Sequence, residues 1–182
     1  MKLKTWVAAA ALTAATGMAQ AALVLQSNGQ EVLDTETNLL WLYDWGQSTT
    51  YFLSWQRDWA ASLTVGGAAA GDWRLPKLEE FQTLWADPSV GGTLAGLQSH
   101  FTGVEDYFYW TDSLDSHGPT YDRYWTFLAA NGSSRVYFDL APLNAVAVRE
   151  FKAGQAVPEP QTLLLALTGG ILAAGVRRKQ RR

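Results

Sequence analysis

Cysteine is absent from the 182-residue chain. That excludes disulfide staples, a thiol nucleophile and any Cys-ligated metal. Histidine occurs only twice, at His100 and His117, each in loop-like surroundings and each read as a surface residue. There is no H-E-x-x-H helix, no G-x-S-x-G elbow and no Gly-rich phosphate loop after a strand, so the usual signatures of zinc proteases, α/β-hydrolases and nucleotide binders are missing. Cations are scarce too. Half of the 14 Lys and Arg residues lie in the two ends, and between Ala22 and Val157 seven remain against sixteen Asp and Glu, a net charge near −9. An acidic stretch of this kind disfavours nucleic acid and other polyanions, whose phosphate or sulfate groups are normally met by basic side chains.

The two ends carry what the middle lacks. Lys2 and Lys4 precede an almost wholly small or apolar stretch from Trp6 to Met18, and Ala19-Gln20-Ala21 is a small-x-small cleavage site. Residues 1–21 are therefore read as a secretory signal peptide, with the mature chain starting at Ala22. The other end reads Val157-Pro158-Glu159-Pro160, then an apolar run from Thr162 to Val176, then a cluster of five Arg and Lys residues. As a helix the run is roughly 22 Å long against about 30 Å of bilayer hydrocarbon, a marginal span. The basic cluster holds the C-terminus on the cytoplasmic side, which leaves the preceding domain outside the inner membrane. A motif, a short apolar segment and a charged end form the pattern of a signal that is read and removed. This tail resembles the PEP-CTERM sorting signal of Gram-negative bacteria. The resemblance implies an exosortase as processing partner, cleavage near the Pro-Glu-Pro, a transient anchor in the inner membrane, and delivery to the cell surface or an exopolysaccharide matrix of the biofilm type. A plain C-terminal transmembrane anchor is the alternative.

Four segments follow: the signal peptide 1–21, a working domain 22–152, a linker with the Pro-Glu-Pro motif at 153–160, and the apolar and basic tail 161–182. Within the domain, "LVLQSNGQEVLD" reads as strand, turn, strand, and "TNLLWLYDW" as a buried strand. "YFLSWQRDWAASL" places Phe52, Trp55, Trp59, Ala60 and Leu63 at helical spacing, with Arg57 and Asp58 outward. "PKLEEFQTLWA" predicts a second helix with Leu78, Phe81, Leu84 and Trp85 on one face. Four aromatic or β-branched runs follow, with Asn131-Gly132 as a hairpin turn between two of them. The expected fold class is α+β, a largely antiparallel sheet with two helices.

"GDWRLPKLEEFQTLW" is the most distinctive stretch. Asp72, Trp73 and Arg74 read as a structural clamp at the entry of the second helix, with the guanidinium stacked on Trp or bound to backbone carbonyls or a carboxylate such as Asp72. "DTETNLLWL", "GDWRLPKLEEFQTL", "YWTDS", "YWTFLAANG" and "AVAVRE" occur in an order similar to that of the C-terminal domain of the Lcl collagen-like adhesin. The resemblance runs from about Glu31 to Phe151 and implies a C-type-lectin-like fold and an adhesive, glycan-contacting role. The chain departs from the pattern in having no cysteine and in carrying Lys77, which has no acceptor for helix N–H groups, where Thr or Ser is usual. The acidity of the domain argues against the sulfated ligands of that adhesin.

Trp41, Trp55, Trp59 and Trp85 fall on predicted core faces, whereas Trp45, Tyr121 and Tyr124 lie near predicted loops and are the candidates for a sugar platform. Asp112, Asp115 and Asp122 offer oxygen ligands in one loop region, a candidate Ca²⁺ site although the spacing is not that of an EF-hand; no other cofactor is implied. The expectation is an exported, non-enzymatic surface or matrix protein that works by adhesion or carbohydrate binding, with exopolysaccharide or a surface glycan as partner. The alternatives are a secreted hydrolase of matrix polysaccharide, which needs a carboxylate pair in a cleft, and a purely structural matrix protein.

Overall fold

The computed structural model describes residues 22–152. The signal peptide, the linker with its Pro-Glu-Pro motif and the C-terminal segment lie outside these residues. Among the described residues no helix is long and apolar enough to cross a membrane.

Seven strands and three α-helices make up the domain: β1 (Leu23–Leu25), β2 (Glu31–Asp34), β3 (Leu39–Leu42), α1 (Leu53–Ser62), α2 (Leu78–Ala86), α3 (Leu94–His100), β4 (Phe108–Ser116), β5 (Arg123–Leu128), β6 (Ser134–Phe138) and β7 (Val148–Glu150). They form two antiparallel sheets, β1-β2-β3-β7 and β4-β5-β6, so the fold is α+β as expected. The single sheet of the sequence reading is split in two, and a third helix joins the two predicted. α3 starts at Thr93, whose hydroxyl accepts from the Gly96 N–H at 3.0 Å. A Cβ at Gly96 would meet the Val90 carbonyl oxygen at 1.8 Å, so a helix-weakening glycine is required there.

The segment Leu143–Val148 is the seam between the sheets. All six residues are buried. Leu143 bridges Tyr51, Asn144 bridges Tyr109 on β4, and Val148 exchanges two backbone hydrogen bonds with Arg74 (2.9 and 2.8 Å) while pairing with Trp41 of β3. An apolar run such as Ala145-Val146-Ala147-Val148 suits a strand buried on both sides.

The core is aromatic. Phe81 of α2 stacks on Phe127 of β5 with centroids 4.6 Å apart. Trp45, in a 3₁₀ turn after β3, touches the rings of Trp41, Phe81, Phe101 and Tyr109. Asn131-Gly132 does form the β5–β6 turn: Gly132 has φ of 70°, and a Cβ there would strike the Trp85 indole nitrogen at 2.3 Å.

α1 is rotated from the predicted phase. Its buried positions are Leu53, Gln56 and Ala60; Trp59 and Leu63 are half-buried, and Phe52 and Trp55 face solvent. Gln56 takes the inward place because its amide donates to the carbonyls of Thr49 (2.6 Å) and Leu143 (3.0 Å). The two bonds tie the helix to the β3–α1 loop and to the seam, where the Leu143 carbonyl also accepts the Tyr51 N–H, and they outweigh the apolar area of one indole, which remains partly covered by its neighbours.

Candidate functional site

The loop between β3 and α1 and the start of that helix carry an exposed cluster of aromatic rings. Tyr51 is fixed by paired backbone bonds to Leu143, both 3.1 Å, and its carbonyl accepts from the Trp110 indole at 3.1 Å. One helical turn on, Trp55 stacks on Tyr51 with centroids 4.2 Å apart and planes at 19°. Phe52 meets both rings edge-on. The three side chains form an exposed ledge, with Trp55 54% and Tyr51 39% accessible. Singly exposed aromatics need no explanation; three in mutual contact make a patch that does.

Beside the ledge lies a cleft of about 270 Å³ lined by Ser48, Thr50, Glu105 and Asn144 among others. Asn144 ties it together: its amide nitrogen donates to Glu105 (3.0 Å), and its amide oxygen accepts from Thr50 Oγ1 (2.9 Å). Ser48 Oγ donates to the Ala145 carbonyl at 2.8 Å and accepts its N–H at 3.0 Å. Burial raises the pKa of the Tyr109 hydroxyl beneath this cleft, against the opposing effect of its bond from the Glu105 N–H (2.9 Å). The result is a neutral-to-acidic surface of hydroxyl, amide and carboxylate beside flat apolar rings.

The residues expected from sequence fare differently. Trp45 is not a surface platform: it is 1% exposed at the centre of the aromatic core, and only its edge reaches the cleft floor. Its position after β3 resembled a loop, but the 3₁₀ turn, capped by Asp44 accepting from Gly46 N–H at 3.0 Å, turns the indole inward. Tyr124 is half-buried, and the Arg57 guanidinium lies 4.7 Å over its ring. Tyr121 is exposed, on the β4–β5 loop away from the ledge in sequence. Trp55, expected in the core, is the residue that the sequence reading misplaced; the run Tyr51-Phe52 just before the helix was the available signal.

The three aspartates are not gathered into a metal site. Asp112 accepts from Arg57 Nε at 2.8 Å, Asp122 is 3.1 Å from His117 Nδ1, and Asp115 accepts from the neighbouring Ser116 hydroxyl. Among the described residues no group of three or more His, Asp or Glu side chains is placed to hold a metal ion.

At the entry of α2, Arg74 and Trp73 have partners other than those expected. Arg74 binds Glu80 through two nitrogens, at 2.8 and 2.7 Å, and also the Leu75 carbonyl at 3.2 Å. These Glu80 hydrogen bonds, against a burial penalty, raise the Arg74 pKa. The cation over the Trp73 ring is Arg149, at 5.4 Å, not Arg74. Asp72 is held by Lys152 (3.0 Å) and by the Ala69 N–H (3.0 Å), which lower its pKa. Arg149 also makes a buried ion pair with Glu31 on β2, Nε to Oε1 at 2.7 Å, with both side chains 3% exposed.

Carboxylates placed for hydrolysis are harder to find. Glu36 and Glu79 share an open groove of about 860 Å³ beside α2, and both are exposed to water.

The PEP-CTERM protein-sorting motif matches residues 156–181. No curated protein matches the chain significantly. The chain thus carries a PEP-CTERM signal, which implies an exported protein that is sorted by an exosortase and transiently anchored in the membrane before it reaches the cell surface.

Proposed function

We propose that the exported domain is a non-enzymatic glycan-contact module of the cell surface or exopolysaccharide matrix of a Gram-negative bacterium. The observation that carries this reading is the exposed ledge of Tyr51, Phe52 and Trp55 beside the cleft of Ser48, Thr50, Glu105 and Asn144. Flat aromatic faces take the apolar C–H face of a sugar ring, and hydroxyl, amide and carboxylate groups exchange hydrogen bonds with its hydroxyls. No cation lines the cleft, so the ligand class is a neutral polysaccharide. The similarity in motif order to the Lcl C-terminal domain, and with it a C-type-lectin-like fold, supports an adhesive role. The sorting signal supports the location.

The test is affinity electrophoresis of the exported protein through gels containing neutral polysaccharides. Retardation by at least one of them, lost in Trp55→Ala, is the expected result; a tenfold rise in Kd corresponds to about 1.4 kcal/mol. Equal retardation of Trp55→Ala and the parent protein refutes the ledge. Steady release of reducing ends by the protein would replace the reading with a hydrolase.

A further inference from the structure

A second concave surface lies at the β4–β5 loop and has the opposite electrostatic character. Its volume is about 480 Å³, within the range of small-molecule sites, and it is lined by His117, Tyr121, Arg123 and Phe138 together with small loop residues, with no carboxylate in the lining. The loop is tightly built. A Cβ at Gly118 would meet the Tyr121 carbonyl oxygen at 2.2 Å, and His117 Nδ1 lies 3.1 Å from Asp122 Oδ1 across the loop base. Tyr121 packs edge-on to Phe138 with centroids 6.3 Å apart, and both rings are about half exposed.

Arg123 sets the chemistry. Arg57, Arg74, Arg149 and Lys152 are each committed to a carboxylate. The Arg123 guanidinium makes no ion pair or hydrogen bond among the described residues and lies 5.8 Å from the centroid of Phe138. In so acidic a domain, a concave surface with an uncommitted guanidinium and no acid in its lining is a place for an anion. A carboxylate matches the planar fork of Arg with two parallel hydrogen bonds. A single negative charge also suits the site better than a polysulfate, because the net charge of the domain repels a long polyanion as a whole. The two rings add an apolar surface that a bare inorganic anion cannot use.

We propose that the cleft between Tyr121, Arg123 and Phe138 binds a sugar carrying a carboxylate, such as a uronate, as a site separate from the ledge. Saturation-transfer NMR on the exported protein tests it with two probes that share one ring, methyl glucuronoside and methyl glucoside. Transfer to the glucuronoside is expected to exceed that to the glucoside severalfold. That excess should vanish in Arg123→Gln, persist in part in Arg123→Lys, and remain in Trp55→Ala. Equal transfer to the two probes, or an excess that survives Arg123→Gln, overturns the proposal. So does loss in Trp55→Ala, which would place the carboxylate at the ledge, and so does full displacement by equimolar sulfate, which would reveal a plain anion site. The ledge reading can fail its own electrophoresis test while this site stands, and the reverse also holds.

Discussion

Substitution of Arg74 isolates one side chain unusually well. Its backbone N–H and carbonyl both bond to Val148, and those bonds survive any replacement of the side chain except Pro. What Arg74→Ala removes is the fork on Glu80, the bond to the Leu75 carbonyl and a long contact to the exposed Glu150 at 3.5 Å. A hydrogen bond to a charged group is worth about 1.5–3 kcal/mol in a buried setting. Arg74 is about one third exposed and Glu80 15%, so solvent screening moves the expectation to the low end. Glu80 is not left idle, because its Oε2 also accepts the Lys77 N–H at 2.7 Å. The truncated variant therefore keeps the helix start, and the expected loss is about 1.5–2 kcal/mol. For a domain of this size that is roughly 5–8 °C in Tm.

Glu80→Ala should cost about 1 kcal/mol more, because it removes the fork partner and the reciprocal half of a capping box together. Glu80→Gln keeps the bond to the Lys77 N–H through its one oxygen but loses the charge and the second Arg74 hydrogen bond, because its amide nitrogen stands where Oε1 accepts. Urea denaturation of the four proteins of the Arg74/Glu80 double-mutant cycle measures the coupling directly, with an expected value above about 1 kcal/mol. A coupling within error of zero refutes the argument. So does an Arg74→Ala protein of parental stability that has lost ligand binding, which would move Arg74 from clamp to binding surface.

Lys77 has the backbone angles of an N-cap (φ −79°, ψ 162°) and no side-chain acceptor. Lys77→Ser should raise stability by about 0.5–1 kcal/mol, and Lys77→Asp by less, since its carboxylate meets that of Glu80; a fall in the urea midpoint for both would show that Lys77 has a stabilising contact of its own. Intact mass of the protein recovered from the cell surface should lack the residues beyond Pro160, and recovery of the complete tail would refute processing. The domain should pass through a heparin column at low salt, because four of its seven cations are already paired; retention to high salt would reveal a basic patch. Burial raises the folded-state pKa of Tyr109, so its contribution to stability is complete below the unfolded pKa of about 10 and is lost as pH rises through the folded value. Tyr109→Phe should flatten that alkaline limb, and an unchanged alkaline slope would contradict the assignment.

Much of the secondary structure was legible because local chemistry agreed with the final fold. The Ser-Asn-Gly turn before β2, the apolar run of β3, the Pro before α2 and the Asn-Gly hairpin each state their element within a few residues. α1 was legible as a helix but not in phase, because the residue that won the inward face is a glutamine serving the carbonyl of Thr49 in the preceding loop and that of Leu143, 87 residues away. Trp45 and Trp55 exchanged roles for the same reason: hydrophobicity alone cannot tell which of two nearby indoles faces in. The partner of Arg74 lay six residues on, across a helix start, and that of Arg149 lay 118 residues away at Glu31. A strand with a buried carboxylate at Glu31 and a glycine at Gly66, whose Cβ would sit 2.1 Å from that carboxylate, makes sense only once both chain segments are in place. The aspartates of the proposed calcium site were near in sequence but were claimed separately by Arg57, Ser116 and His117.

The two ends of the described domain leave from the same place. The Ala22 N–H bonds Thr35 Oγ1 at 2.9 Å, its carbonyl accepts the Thr35 N–H at 3.1 Å, and the Phe151 N–H bonds the Asn38 carbonyl at 3.0 Å. All these contacts are to the β2–β3 turn. β3 runs away from that turn, and the segment from Leu143 to Glu150 runs back along it. Leu143, which pins Tyr51 of the ledge, is seven residues from the turn-proximal Glu150, about 23 Å for extended chain. A tether joined after Lys152 therefore attaches at one end of the seam, and the ledge lies at the other. That polarity fits the proposed glycan contact: a domain held at its β2–β3 edge would present Tyr51, Phe52 and Trp55 from the end of the seam opposite the point of attachment.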